Sequence, residues 1–365
     1  MSITRLFEPL SLAHGPALKS RFMLAPLTNQ QSHADGRLSE EEFHWLTLRA
    51  KGGFALTMTC AAHVQKDGQG FAGQLGIFSD LHLEGLSRLA QAIASHGSLS
   101  AVQLHHAGNR SPHELVPTPL CPSDDPEKGA RALTTAEVEG VREDFITAAL
   151  RAQTAGFNGV ELHGAHGYLL AQFLSARTNR RTDRYGGSLE NRARLIFEII
   201  DGVRARCRPD FQLGLRISPE RFGLKLVEMR DFAAEVLRQG KIDYLDLSLW
   251  DVGKEPEEAE FKGQTLMSYF TDLPRGKVRV GAAGKIMSAR AAAGVLEAGC
   301  DFVLLGRAAI LRHDVPYRIQ NDPHYTSPTL PVTEQHLRNE GLSPSFVTYM
   351  SNWEGFVAKD TTPSQ

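Results

Sequence analysis

The run His163-Gly164-Ala165-His166-Gly167-Tyr168 holds the densest chemistry in the chain. Two imidazoles and one phenol fall within six residues, beside two glycines. A neutral imidazole donates one N–H. Two such donors on one carbonyl or phenolate oxygen polarise it, as an oxyanion hole does. A phenol, with an ordinary pKa of about 10, is a suitable general acid for a proton delivered to carbon. Plainer readings fit the same residues. A histidine after a strand often only packs a loop. A His-x-x-His pair could also ligate zinc, given carboxylate or His ligands from other strands. His63 and Asp246 are available, but they complete no coherent set, and no metal site is expected.

Other residues suit an anion or a polar ring. Val280-Gly281-Ala282-Ala283-Gly284-Lys285 and Phe302-Val303-Leu304-Leu305-Gly306-Arg307 each end an apolar run in glycine followed by a cation. Glycine lets backbone amides approach an oxyanion closely, although each pair alone could be a tight turn. Gln103, in Gln103-Leu104-His105-His106-Ala107-Gly108, offers an amide donor and acceptor for the edge of a pyrimidine-like ring. Arg216 sits between Leu215 and Ile217, where a charge is costly unless paired. Its partner would be a ring edge that gathers negative charge, such as the N1/O2 edge of a flavin, or a carboxylate on a neighbouring strand.

Short apolar runs alternate with amphipathic stretches, the pattern of parallel β/α units. The strands expected are Arg21–Pro26, Phe54–Cys60, Ser100–Leu104, Gly159–His163, Leu213–Ile217, Tyr244–Leu249, Val278–Gly281 and Phe302–Gly306. The helices expected between them are Glu40–Lys51, Leu83–Ser95, Glu137–Thr154, Leu189–Arg206, Met229–Gln239, a stretch near Gln264–Tyr269, Ala289–Glu297 and a run from Ala308. Eight units are what a closed (β/α)8 TIM barrel needs, and its chemistry sits just past the C-terminal strand ends. The loops after the seventh and eighth strands form the recurrent phosphate site of that fold. Ser188 is placed to cap a helix whose first turn holds Glu190. Gly156, Gly240 and Gly299 follow helical runs, where a left-handed residue is wanted.

Three stretches lie outside this minimal α/β barrel. Leu6–Leu12 reads as a hairpin arm and Ser111–Leu133 as a long inserted loop. Residues from Asp322 onward, which include Pro323, Pro328, Pro331 and Pro344, read as an irregular tail. No linker marks a second domain, so residues 1–365 are expected to form one unit, with the barrel at about 20–320.

Composition narrows the functions. The formal charge is −2 with no long basic run, which argues against a nucleic-acid partner. Cys60, Cys121, Cys207 and Cys300 form no C-x-x-C pair, so no iron–sulfur or zinc cluster is suggested. Neither a signal peptide nor a transmembrane stretch is visible. A cytoplasmic protein acting on a small molecule, without membrane attachment, is the expectation. A homo-oligomer stays open.

The chain resembles the Old Yellow Enzyme family of NAD(P)H:flavin oxidoreductases. The resemblance rests on Leu6-Phe7-Glu8-Pro9-Leu10, on Lys19-Ser20-Arg21-Phe22 leading to Ala25-Pro26-Leu27-Thr28, and on the Gln103 and His163 runs. It rests most strongly on Asn179-Arg180-Arg181-Thr182-Asp183-Arg184-Tyr185-Gly186-Gly187-Ser188-Leu189-Glu190-Asn191-Arg192, where the part from Tyr185 to Arg192 is the most specific. It implies noncovalent FMN, with the phosphate on Ala283, Gly284, Lys285, Gly306 and Arg307. It implies a flavin ring contacted by Ala25, Pro26, Leu27, Thr28, Ala61, Gln103 and Arg216. His163 and His166 would hold the substrate oxygen and Tyr168 would give the proton. The implied cycle is ping-pong reduction of an activated alkene by NADH or NADPH. No Rossmann motif is present to choose between the two nicotinamides. Thr28 stands where a bacterial branch has Cys, Gln30 where the yeast-like branch has Tyr two positions further on, and His105 where many members have Trp or Ala. The C-terminal arginine that one branch extends into a neighbouring subunit has no clear match, so a site shared between subunits is not expected.

Overall fold

In the computed structural model, which describes residues 2–359, the eight apolar runs form eight parallel strands. They are β1 Phe22–Leu24, β2 Leu56–His63, β3 Leu99–His105, β4 Gly159–Gly164, β5 Gln212–Ile217, β6 Tyr244–Ser248, β7 Arg279–Ala283 and β8 Phe302–Leu305. Each pairs with its sequence neighbours, and β8 pairs with β1, so the barrel closes and leaves no edge. The chain is a (β/α)8 TIM barrel.

Helices cover the outside: α1 Glu40–Lys51, α2 Leu83–Ser95, α3 Thr135–Thr154, α4 Leu169–Leu174, α5 Leu189–Arg206, α6 Leu226–Gln239, α7 Ser268–Thr271, α8 Ala289–Glu297, α9 Arg307–Leu311 and α10 Val315–Asn321. Side-chain oxygens fix their starts. Ser39, Ser188 and Ser288 accept from the backbone of α1, α5 and α8, and Thr134 with Glu137 forms a reciprocal cap on α3. Gly156, Gly240 and Gly299 all adopt positive φ, as the turns from helix to strand require.

The barrel interior is plugged rather than hollow. Met23, Leu56, Met58, Ala101, Tyr244, Phe302 and Leu304 form an inner cluster, with Leu10 and Leu18 in the same group. Leu10 bridges to Leu18 antiparallel, so the N-terminal arm closes on itself where it packs against this plug. Two strand glycines make room for the plug's aromatic rings. A Cβ on Gly214 would lie 2.2 Å from the Tyr244 ring, and one on Gly281 2.2 Å from Phe302. The two rings meet edge to face at 5.7 Å.

The structure departs from the sequence expectations in three places. The sixth helix is the short α7 rather than Gln264–Tyr269. The run from Ala308 splits into α9 and α10, which Pro316 opens at its first turn. The tail from Asp322 is not irregular. It carries α11 Glu334–Asn339 and α12 Pro344–Ser351, capped by Thr333 and Ser343. α12 packs Phe346 against Trp45 of α1, with ring centroids 5.5 Å apart. Its preceding Ser343 amide donates to Gln31 at 3.1 Å. Residues 360–365 of that tail, and Met1, lie outside the described residues.

Candidate active site

One cleft opens at the C-terminal strand ends, and every site residue expected from sequence lines it. His163, His166 and Tyr168 come from β4 and the turn after it. Ala25, Pro26, Leu27 and Thr28 follow β1, Ala61 is on β2, Gln103 on β3 and Arg216 on β5. Ala283 ends β7 and Gly284 and Lys285 follow it, while Gly306 joins β8 to α9, which Arg307 begins.

The turn after β4 is tight. His166 has φ +59 and Gly167 φ +70, and the His166 amide is held by Ser218 Oγ at 2.9 Å. This brings the two imidazoles together, with His163 Nε2 3.2 Å from His166 Nδ1. The hydrogen on each ring follows from its other nitrogen. The Ala165 amide donates to His163 Nδ1 at 3.3 Å, so the hydrogen of His163 is on Nε2. Ser248 Oγ accepts from Arg216 Nη2 at 3.2 Å, because a guanidinium only donates. The Ser248 hydroxyl, which has one hydrogen and a second lone pair, pairs with His166 Nε2 at 2.7 Å as donor or as acceptor. Where Ser248 donates, the hydrogen of His166 is on Nδ1 and both rings offer an N–H to an entering oxygen; where Ser248 accepts, His166 Nδ1 accepts from His163 Nε2.

Burial keeps this site neutral. It pushes the pKa values of His163 and His166 well down, helped by His166 for the first and by the Arg216 charge for both. Burial also drives His105 far down, aided by the neighbouring imidazoles. The Tyr168 phenol is pushed up by burial, against the Arg110 charge, so it keeps its proton at neutral pH. Its hydroxyl has no hydrogen bond to a protein group among the described residues. Its ring lies edge to face with His105 at 4.4 Å and with His163 at 5.1 Å. His105 is oriented by Gln74, whose amide nitrogen reaches His105 Nδ1 at 3.0 Å and the Ala61 carbonyl at 2.8 Å.

Beneath the cleft the barrel interior holds a buried polar group. Gln103 Nε2 donates to Glu161 Oε1 at 2.8 Å. Arg216 Nε lies 2.9 Å from Asp246 Oδ2, although off hydrogen-bonding line. Arg216 and Asp246 are register partners on β5 and β6. The carboxylate on a neighbouring strand is therefore present, and Arg216 faces the cleft as well. Burial, then the nearby Asp246 charge, pushes the Glu161 carboxyl up. Burial also raises Asp246, against the pull of Arg216.

At another part of the cleft the Arg307 guanidinium lies over Trp250 at 4.5 Å and over Trp353 at 5.7 Å. The two indoles stack at 6.1 Å. Arg307 has no ion pair among the described residues. Gly284 is needed here for space, since a Cβ would stand 2.7 Å from the Asp251 backbone nitrogen. Among the described residues no group of three or more His, Cys, Asp or Glu is placed to hold a metal. No helix among them is long and apolar enough to cross a membrane.

The sequence and the barrel resemble known proteins. Residues 5–324 fit the model of the NADH:flavin oxidoreductase / NADH oxidase family. The chain belongs to that family, the Old Yellow Enzymes. A probable NADH-dependent flavin oxidoreductase of Bacillus subtilis is 39% identical over 318 residues, covering 84% of this chain and 85% of the relative. An NADPH dehydrogenase of Bacillus pumilus is 33% identical over 312 residues, covering 83% and 90%. Among solved structures, the Old Yellow Enzyme homologue of Zymomonas mobilis superposes with a TM-score of 0.79 at 25% identity, covering 94% of this chain and 99% of the other. Morphinone reductase superposes with a TM-score of 0.77 at 29% identity, covering 92% and 94%.

An Old Yellow Enzyme carries FMN and takes electrons from NAD(P)H. The residues present fit that group. Gln103 Oε1 and Arg216 Nη1 have no protein partner among the described residues. Arg307 is a cation without a carboxylate, beside the space that Gly284 leaves open.

Sequence reading missed several residues of the cleft. Arg110, Arg221, Phe222, Trp250, Tyr349, Met350 and Trp353 all line it. Tyr349, Met350 and Trp353 come from the tail. The cap pairs Thr333-Glu334 and Ser343-Pro344 are helix-start signals that would have revealed α11 and α12.

Proposed function

We propose that this Old Yellow Enzyme reduces the activated C=C bond of α,β-unsaturated carbonyl compounds with electrons from NADH or NADPH. One observation carries the reading: two neutral imidazoles, with ring nitrogens 3.2 Å apart, stand beside a half-buried phenol that has no hydrogen bond to protein among the described residues. FMN, when bound, supplies the hydride chemistry by accepting hydride from the nicotinamide and passing it to the second substrate. The remaining work falls to the chain.

His163 Nε2–H and His166 Nδ1–H receive the carbonyl oxygen and stabilise the negative charge that builds on it, with no change of protonation. Tyr168 delivers its proton to the α-carbon. Gln103 and Arg216 hold the polar edge of the ring system, and Ala25, Pro26, Leu27, Thr28 and Ala61 line its remaining contacts. Ala283, Gly284, Lys285, Gly306 and Arg307 hold the phosphate. Ser248, as donor to Nε2, keeps His166 in the donating tautomer.

Anaerobic incubation with NADPH or NADH and 2-cyclohexenone tests the reading. Cyclohexanone is expected in step with nicotinamide oxidation. Oxidation with a quinone or nitro compound, but none with several enones, would overturn it.

A further inference from the structure

Among the described residues, two guanidiniums of this cleft have no carboxylate in ion-pair contact. The other basic residues on its wall are paired: Arg216 with Asp246 at 2.9 Å, Lys285 with Asp251 at 3.0 Å and Arg221 with Glu257 at 3.3 Å. Arg307 and Arg110 form no ion pair among the described residues. Among the described residues the wall itself is lined by no Asp or Glu, and the nearby Asp251 pairs with Lys285. Both free guanidiniums are instead held by aromatic faces. Arg307 lies over Trp250 and Trp353, on the β8 side assigned above to phosphate. Arg110, from the loop after β3, lies over the rings of Tyr168 at 5.0 Å and Phe222 at 5.7 Å. It donates to the His166 carbonyl. Arg110 therefore stands beside the proton donor and the oxygen-binding histidines.

The loop opposite is built to keep it there. Arg221 and Phe222 are consecutive non-glycine residues with φ +72 and +55, a costly conformation that places Phe222 against the β4 turn. A Cβ on Gly167 would stand 3.0 Å from the Phe222 ring. Contact with two rings and one carbonyl positions the exposed guanidinium without neutralising its charge. In-plane N–H donors remain for an anionic oxygen.

We infer that Arg110 forms an anion subsite for the oxidising substrate, so the preferred substrates are activated alkenes carrying a carboxylate or a similar anionic group. The inference rests on the ene-reductase reading and narrows its substrate class. The same chemistry would also suit the pyrophosphate of the hydride donor, and the test separates the two.

The FMN-loaded enzyme is titrated with 3- and 4-hydroxybenzoate and with the matching cresols. Binding is followed by calorimetry and by the flavin absorbance. The phenol oxygen is expected in the two-histidine site in every case, and each pair compares a carboxylate with a methyl group at one ring position. The affinity ratio of hydroxybenzoate to cresol is expected to fall at least tenfold in Arg110→Gln and to be partly kept in Arg110→Lys. In the wild type, hydroxybenzoate affinity should weaken with added salt while cresol affinity does not, a readout that needs no variant. A ratio and salt response that do not differ between the two ligands would overturn the subsite while leaving the ene-reductase reading standing. Failure of the enzyme to bind either ligand would overturn both. A tenfold loss of NADH and NADPH affinity in Arg110→Gln, with the ratio unmoved, would assign the guanidinium to the hydride donor and reject the proposal.

Discussion

His163 Nε2 and His166 Nδ1 lie 3.2 Å apart, with the hydrogen of His163 on Nε2. When Ser248 donates to His166 Nε2, His166 carries its hydrogen on Nδ1 and both rings donate to a substrate oxygen. Arg216, beside Asp246, donates to the same Ser248 hydroxyl, which links the barrel interior to His166.

Ser248→Ala removes the hydroxyl that, as donor, holds His166 in the Nδ1–H form. Losing one such hydrogen bond is worth about 1 kcal/mol, or roughly fivefold in affinity. Cresol binding to the FMN-loaded enzyme should weaken by about that factor while FMN stays bound. Unchanged cresol affinity would show that Ser248 does not set the tautomer.

Tyr168→Phe should separate the two half-reactions. Flavin reduction by NAD(P)H should persist. Reoxidation by 2-cyclohexenone should slow by about 10²–10⁴, the usual contribution of a positioned general acid. Stopped-flow absorbance reads both steps. Equal loss in both would remove Tyr168 from the proton-donor role.

These residues show how much of the site was legible in sequence. The β4 run carries its chemistry within six residues, and glycine-plus-cation pairs at two strand ends disclosed a candidate phosphate site. Strand order follows from eight alternating units. Arg110 and Trp353 were not legible. Their roles depend on where a long loop and a tail fold back, which no local period encodes. The prolines that made the tail read as irregular include Pro344, which in fact opens α12. The partner of Arg216 was legible only as a choice, because register with β6 had to be known before Asp246 could be named.

Arg216→Met should be strongly destabilising. It leaves Asp246 buried without its countercharge, and breaking a buried pair this way costs about 3–5 kcal/mol. Urea unfolding should show that loss. Adding Asp246→Asn to the same chain should recover part of it, since no unpaired charge then remains. A double variant no more stable than Arg216→Met would contradict the account.

Acid should destabilise the fold through its histidines. Burial lowers His63 to about 4 and His106 to about 3, and lowers His105, His163 and His166 as well. Between these values and the unfolded pKa of about 6.5 the unfolded chain binds more protons than the folded one. Stability therefore falls as pH drops below about 6.5, by up to ~1.4 kcal/mol per pH unit for each histidine. Urea midpoints at pH 7 and pH 5 check this, and His106→Asn should make the drop shallower. A midpoint that rises towards pH 5 would contradict it.

The most direct test of the central claim follows the flavin band of the purified, FMN-loaded protein under anaerobic conditions. The band should bleach on addition of NADPH or NADH and return on addition of 2-cyclohexenone, with one cyclohexanone formed per flavin reoxidised. A band that bleaches but stays bleached with enones would contradict the proposed reaction. A protein that takes up no FMN would contradict the site itself.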